Sequence, residues 1–107
     1  MTPKSVILRA SARRDVEQAL AHYLDEGGAD VAVGFIDALE EALGHIARNP
    51  GSGSPRYGHD LNLSGLRSWP TAAYPYIIFY MEAQRPIDVW RILHGRRDIP
   101  ESMREGL

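Results

Sequence analysis

The chain has 107 residues, with 12 basic and 14 acidic side chains, a formal net charge of −2 and no cysteine. This length suits a single domain over residues 1–107, the charge balance argues against a general attraction to nucleic acid or anionic lipid, and the lack of cysteine excludes disulfides, thiol catalysis and thiolate zinc sites. No apolar run is long enough to span a membrane and Met1–Ser5 lacks a signal-peptide pattern, so we expect a cytoplasmic protein without a membrane partner.

The N-terminal part predicts a short strand followed by a helix. Val6–Leu8 is an apolar run of strand length. Apolar side chains then recur at helical spacing over about Ala12–Glu26, and Ser11 is a plausible N-cap because its hydroxyl can accept a hydrogen bond from an early helical N–H. Gly27–Gly28 supplies a left-handed stop for this helix.

A second helix is predicted from Asp30, the expected cap, to Asn49–Pro50, which would end it. The connection to the first helix is so short that the two are predicted to form an antiparallel hairpin, with their apolar faces packed on a sheet. Gly34 and Gly44 lie inside this helix at a cost of about 1 kcal/mol each relative to alanine, which indicates either tolerance or a close approach by another group.

The segment after the helices is predicted to be a loop over Gly51–Asp60, because it is dense in glycine, serine and proline. Leu61–Trp69 then enters the sheet at Gly65. Near the other end, Pro100 ends the regular structure, and Glu101–Leu107 is short, polar and expected to be frayed.

A hairpin near the C-terminus is the centre of the predicted sheet, with strands Tyr76–Glu82 and Ile87–Leu93 joined by Ala83–Pro86. Side chains alternate between the faces of a strand, so the first strand presents two apolar sets, which are Ile77, Phe79 and Met81 against Tyr76, Ile78 and Tyr80. The second strand is divided in the same way, into Ile87, Val89 and Leu93 against Trp90 and Ile92. Two helices can cover only one face, so we expect one set of the first strand to have little of the chain above it.

Most groups that could carry chemistry have a structural explanation. The four histidines, at positions 22, 45, 59 and 94, lack metal-ligand spacing, and adjacent carboxylates such as Glu40–Glu41 point in different directions from a helix. The glycines lack the strand-then-helix context of a phosphate loop. We therefore expect no metal, no cofactor and no nucleotide chemistry.

One polar cluster remains where the last strand leaves the sheet, formed by Arg91, His94, Arg96, Arg97 and Asp98. By itself, a basic strand exit is more often a solvated end than a site, and exposed ion pairs there contribute roughly 0–1 kcal/mol. The order of the segments along the whole chain favours a functional role for this cluster.

The order of these segments resembles the ParE toxins of bacterial toxin-antitoxin pairs, within the RelE/ParE superfamily. The resemblance covers Val6 to about Ile99 and is carried by Leu66–Pro70, by the aromatic strand Tyr76–Tyr80 and by the tail Arg91–Asp98, each in the right order and at the right separation. It implies an α+β fold with an N-terminal strand and an antiparallel two-helix hairpin packed on a mainly antiparallel sheet.

The resemblance also implies a plasmid-stabilising toxin that binds and poisons DNA gyrase, with no catalytic residue of its own and no sequence-specific binding to nucleic acid alone. A cognate ParD-like antitoxin would neutralise it in a toxin-antitoxin hetero-oligomer, through a disordered arm that folds on binding. The target would be contacted by Arg91, His94, Arg96, Arg97 and Asp98. The antitoxin would dock in an apolar groove between the helices and the sheet, at Tyr23, Leu24, Trp69, Tyr76, Ile78, Tyr80 and Trp90.

RelE-like relatives instead cut messenger RNA on the ribosome, and in that alternative His94 and Arg97 would act. The chain departs from those nucleases, with Ile77 where their strand has an arginine and Met103 where they have a C-terminal tyrosine, although Arg67 matches a second basic position. A third alternative is an inactive module that only binds antitoxin.

Overall fold

The computed structural model describes residues 5–82 and 86–105. Its elements, in chain order, are β1 Val6–Leu8, α1 Ala10–Arg48, a 3₁₀ turn Pro50–Ser52, α2 Arg56–Asp60, β2 Leu66–Pro70, β3 Tyr76–Met81, β4 Ile87–His94 and α3 Ile99–Glu105. The four strands lie close to their predicted positions. Of the predicted hairpin turn, Ala83–Arg85 fall outside the described residues.

The four strands form one sheet in the order β1-β4-β3-β2. β2, β3 and β4 make an antiparallel meander. β1 lies parallel to β4, where Val6 pairs with Ile87 and Leu8 pairs with Val89. The α+β fold with an N-terminal strand and a mainly antiparallel sheet is thus confirmed.

α1 takes the place of both predicted helices, and its backbone is interrupted at Gly28, whose φ of 81° and ψ of −176° are not helical. A straight helix of 39 residues would be about 58 Å long, whereas the longest dimension of the fold is 38 Å. The helix therefore bends at Gly28, and the rings of Tyr23 and Phe35, on either side of it, lie 5.2 Å apart. The predicted break at Gly27–Gly28 is correct, but Gly28 alone connects the two halves of the helix.

The start of α1 differs from the prediction. Arg9 is the N-cap residue, and no side chain caps the helix. The hydroxyl of Ser11 instead donates to the carbonyl of Trp90 at 3.1 Å, and Asp30 lies inside the helix. Because the N–H of Arg9 donates to the carbonyl of Val89 at 2.9 Å, the start of α1 continues along the edge of β4 beyond β1.

The sheet is covered on both faces. α1 packs over one face, where Ile78 and Tyr80 lie, and residues of α2 and α3 pack on the other, where Phe79 lies. These three side chains of β3 are all 0 % exposed. The prediction of an uncovered face on β3 is therefore wrong, because two further helices cover it.

Those two short helices replace segments predicted to be irregular. α2 lies within the predicted loop Gly51–Asp60, and α3 lies largely within the predicted frayed tail. Ile99 and Met103 of α3 are 4 % and 1 % exposed and belong to the core that contains Leu93 of β4. Burial of apolar side chains, rather than helix propensity, stabilises so short a helix.

β4 contains a bulge at Trp90. The pairs with β3 skip this residue, because they run from Tyr80 with Val89 directly to Phe79 with Arg91. An extra residue shifts the alternation of the strand beyond it, so Ile92 faces α1 whereas Leu93 and Trp90 share the other core. The predicted faces are therefore wrong for the end of β4.

Candidate functional site

The predicted target-binding residues divide into a buried member and an exposed group. Arg91 is 6 % exposed within β4, and His94, at the end of this strand, is partly buried. Arg96, Arg97 and Asp98 follow as exposed residues. The carboxylate of Asp98 accepts a hydrogen bond at 3.2 Å from the backbone of α3. The tail therefore presents two arginines to solvent, at positions 96 and 97.

Arg91 is held by Asp15 of α1 in a buried ion pair. Its Nε and Nη2 donate to the two carboxylate oxygens, each at 2.8 Å, and the hydrogen bond with Asp15 raises the pKa of Arg91 above its ordinary value. The N–H of Ile92 also donates to Asp15, at 3.0 Å, and Arg91 Nη1 donates to the carbonyl of Ser102. Arg91 thus connects α1, β4 and α3, and its charge is paired inside the fold.

A cleft lies beside this ion pair, between the first turns of α1 and the end of β4. It consists of two adjoining cavities of about 200 and 190 Å³ that share Asp15, Gln18 and Arg97. The lining at one end includes Ser11, Arg14 and Glu105, and the lining at the other end includes Tyr76, Ile92 and His94. We call this feature the α1–β4 cleft.

The α1–β4 cleft is rich in hydrogen-bond donors. Arg14 is in no ion pair within residues 5–82 and 86–105, and Arg97 approaches the exposed carboxylate of Glu105 only to 3.9 Å. His94 Nδ1 accepts a hydrogen bond from the N–H of Arg96 at 3.1 Å, so a neutral His94 carries its proton on Nε2. These free donors can bind a group that accepts several hydrogen bonds.

Tyr76 forms the aromatic end of the cleft. Its ring centroid lies 5.3 Å from that of His94 and 6.2 Å from that of Tyr23 in the core under α1. Burial raises the pKa of Tyr76, and the nearby charge of Arg97 acts in the opposite direction. Tyr76 therefore connects the polar cleft to the apolar core.

The predicted antitoxin-binding residues do not form one surface. Ile78 and Tyr80 are fully buried, and Trp90 is 8 % exposed in the core on the face opposite α1. The indole N–H of Trp90 donates to Asp88 at 2.9 Å, and the guanidinium of Arg9 covers its ring at 4.1 Å. The remaining members belong to the α1 side, where Leu24 is 55 % exposed and the others are partly buried, namely Tyr23, Trp69 and Tyr76.

Trp69 lines a groove of about 340 Å³ between the second half of α1 and the end of β2, together with Ala38, Ala42, His45, Pro70 and Thr71. The rings of Trp69 and His45 stack with centroids 4.0 Å apart. Ser52 Oγ lies 2.9 Å from His45 Nε2 and donates to the carbonyl of Asn49 at 2.7 Å. Since its proton is committed to that carbonyl, Ser52 accepts from His45 and is not an activated nucleophile. We call this feature the Trp69 groove.

RelE-like ribonucleases have a tyrosine where this chain has Met103 and a basic residue where it has Arg67. Both side chains take part in the packing or the hydrogen bonding of the fold. Met103 is 1 % exposed. Arg67 donates from Nε to Glu82 and from Nη1 to the carbonyl of Gly53 at 2.7 Å. Of the residues expected to act in a ribonuclease, His94 and Arg97 remain, and both line the α1–β4 cleft.

Sequence reasoning missed the contribution of α1 to the cleft. Arg14 and Gln18 lie one helical turn apart on the exposed side of α1, and no motif marks them. They reach the cleft because Asp15 pairs with Arg91, which is 76 residues away in sequence. Only the helical spacing of Arg14, Asp15 and Gln18 could have suggested a common surface.

Within the described ranges, no group of histidine and acidic side chains is arranged to hold a metal ion. The helices of the same ranges are too short or too polar to cross a membrane.

Two comparisons with known proteins give matches. Residues 6–99 match the family of ParE toxins of type II toxin-antitoxin systems, parDE. The structure is similar to one from the chromosomal ParDE toxin-antitoxin system of P. aeruginosa, with a TM-score of 0.70 and 19 % sequence identity, over 85 % of this chain and 95 % of that one. At this identity, the structural likeness establishes the fold. A comparison with curated protein sequences gives no match.

Proposed function

The chain belongs to the ParE toxins of type II toxin-antitoxin systems, and from this we propose that it inhibits DNA gyrase by binding and that a cognate ParD-like antitoxin neutralises it. The family match carries this proposal. The burial of Met103 and the internal pairing of Arg67 favour binding over RNA cleavage, because they leave the surface without a full set of ribonuclease side chains.

The proposed target contact is the exposed tail with the α1–β4 cleft beside it. Arg96 and Arg97 are exposed and can make charge-assisted hydrogen bonds to the target. His94 and Asp98 lie next to them, whereas Arg91 contributes by holding the cleft together through Asp15. Contact through such a site requires no chemical step by the toxin.

The proposed antitoxin contact is on the α1 side of the sheet. The Trp69 groove is open and lined mainly by apolar atoms, and Leu24 exposes apolar surface on α1. A disordered antitoxin arm could fold as a helix with an apolar anchor against Trp69, as other helices do in apolar grooves. Toxin and antitoxin would then form a hetero-oligomer in the cytoplasm, where it would contribute to plasmid stabilisation.

A second candidate function is ribosome-dependent cleavage of messenger RNA. The observation that favours it is that His94, Arg97 and Tyr76 line one cavity. An imidazole, a guanidinium and a phenol are suitable to transfer protons and to stabilise the charge that develops at phosphorus. An inactive antitoxin-binding module is the third candidate.

One expression experiment separates the three candidates. The protein is produced in bacteria without antitoxin, and DNA cleavage by gyrase is compared with decay of messenger RNA. Gyrase-dependent DNA breaks that are reduced in the double variant Arg96→Ala/Arg97→Ala, but not in Arg56→Ala, would support the proposal. Codon-specific cuts in ribosome-bound message, lost in His94→Ala, would establish the ribonuclease instead, and neither effect would indicate an inactive module.

The antitoxin contact is tested with Trp69→Ala. Loss of an aromatic anchor should weaken antitoxin binding by about 2 kcal/mol, with an unchanged circular dichroism spectrum. Trp90→Ala serves as the control, because Trp90 lies in the opposite core and its loss should reduce stability first. A folded Trp69→Ala protein that binds antitoxin normally would rule out the Trp69 groove.

A further inference from the structure

We propose that the α1–β4 cleft binds a carboxylate side chain of a protein partner and that Arg14 and Arg97 are its principal contacts. This inference rests on the proposed target contact, and it adds the chemistry of the group that the target must present. It also assigns a role to α1, for which the sequence carries no motif.

The hydrogen-bonding balance of the cleft favours an anionic ligand. Both oxygens of Asp15 accept hydrogen bonds from Arg91 and Ile92, three in all. The charge of Asp15 is therefore balanced by Arg91 and does not neutralise the other arginines of the cleft. Arg14 has no ionic partner within the described ranges, and Arg97 has only a long contact of 3.9 Å to Glu105. Two guanidinium groups thus line a cavity of about 200 Å³ with unused donors.

The surroundings favour a single carboxylate over a nucleic acid. The exposed carboxylate of Glu105 lines the cleft. A nucleic-acid strand carries a charge at every nucleotide, about 3.4 Å apart along the axis, so a phosphate next to the bound one would be repelled by this carboxylate. One carboxylate can pair bidentately with a guanidinium and avoid that repulsion.

The second cavity extends the site in a way that suits an amino-acid side chain. Its lining combines Gln18 and His94 with the ring of Tyr76 and the apolar side chain of Ile92. The methylene groups of a glutamate can pack on these apolar atoms while its carboxylate reaches the arginines. A bare inorganic anion would use only the cationic end.

The test compares two anionic probes of similar charge, hexaglutamate and hexathymidylate, in heteronuclear NMR titrations of the full chain. We expect hexaglutamate to shift the signals of Arg14, Gln18 and Arg97. Arg14→Ala and Arg97→Ala should each raise its dissociation constant about tenfold, the factor that corresponds to one hydrogen bond to a charged group. The control is Arg13→Ala, an exposed neighbour outside the cleft, which should change it by less than about twofold.

Three results would overturn the inference: tighter binding of hexathymidylate at the same salt concentration, an effect of Arg13→Ala as large as that of Arg14→Ala, or no shift at the cleft with either probe. Gyrase assays on the same variants separate this inference from the proposed function. Hexaglutamate binding at the cleft without gyrase inhibition by the parent chain would keep the site and remove gyrase as its target. If Arg14→Ala inhibits gyrase as strongly as the parent chain, gyrase stays the proposed target, but the cleft is not the surface that contacts it.

Discussion

Replacing Asp15 by alanine should destabilise the protein by about 3–5 kcal/mol, because it leaves the charge of Arg91 buried without a partner. The side chains of Arg91 and Asp15 are 7 % and 5 % exposed, so solvent screens the charge of Arg91 only weakly. The substitution also removes the acceptor of the Ile92 N–H. Against a total stability of about 5–15 kcal/mol for a domain, this loss would be large.

The matched control for this prediction is the exposed pair Arg56–Asp60, whose side chains are 74 % and 61 % exposed at a distance of 4.0 Å. Asp60→Ala should cost at most about 0.5 kcal/mol. The double variant Asp15→Leu/Arg91→Met should recover most of the loss, because it removes both charges. Urea unfolding followed by circular dichroism measures all three, and an Asp15→Ala protein within about 1 kcal/mol of the parent would contradict the reasoning.

Three further predictions concern tyrosines. Tyr80→Phe should cost about 1–3 kcal/mol in urea unfolding, because the hydroxyl donates to the carbonyl of Pro50 at 2.7 Å and accepts from the N–H of Gly53 at 3.2 Å. Burial raises the folded-state pKa of Tyr23, Tyr76 and Tyr80. The stability that these neutral tyrosines contribute should therefore be fully present below the unfolded tyrosine pKa of about 10 and should decrease as the pH rises above it. A urea midpoint that does not change as the pH is raised through and above this value would contradict this. Gly34→Ala should stabilise a Tyr74→Phe background by about 1 kcal/mol but not the parent, whose Tyr74 hydroxyl would lie 2.5 Å from the new Cβ; equal thermal shifts in both backgrounds would disprove this.

Periodic patterns predicted most of the fold, because each depends only on neighbouring residues. Strand alternation located β3 and β4, and helical spacing located the two halves of α1. The glycine pair Gly27–Gly28 marked the break between them, where the φ of Gly28 is positive. The bulge at Trp90 could not be predicted in this way, since it depends on the pairing of two strands. α3 was missed because seven residues are too few for a helical pattern, and its stability comes from the burial of Ile99 and Met103.

The candidate site was predictable only where it follows directly from the strand exit. Arg96 and Arg97 follow β4 after a single glycine and are exposed, as expected. Arg91 has the same side chain but pairs with Asp15, and its own segment gives no sign of a partner so distant in sequence. The contacts with gyrase and antitoxin stay predictions.

The parallel pairing of β1 with β4 also affects the order in which the protein folds. It joins residues near the two ends of the chain, and closing so long a loop is costlier than forming the local β2–β3–β4 meander. The Asp15–Arg91 pair depends on the same approach of distant segments. During synthesis, β1 and α1 therefore remain without these contacts until β4, the last of the four described strands, has been made. The complete sheet, with the cleft beside it, cannot form until β4 has left the ribosome.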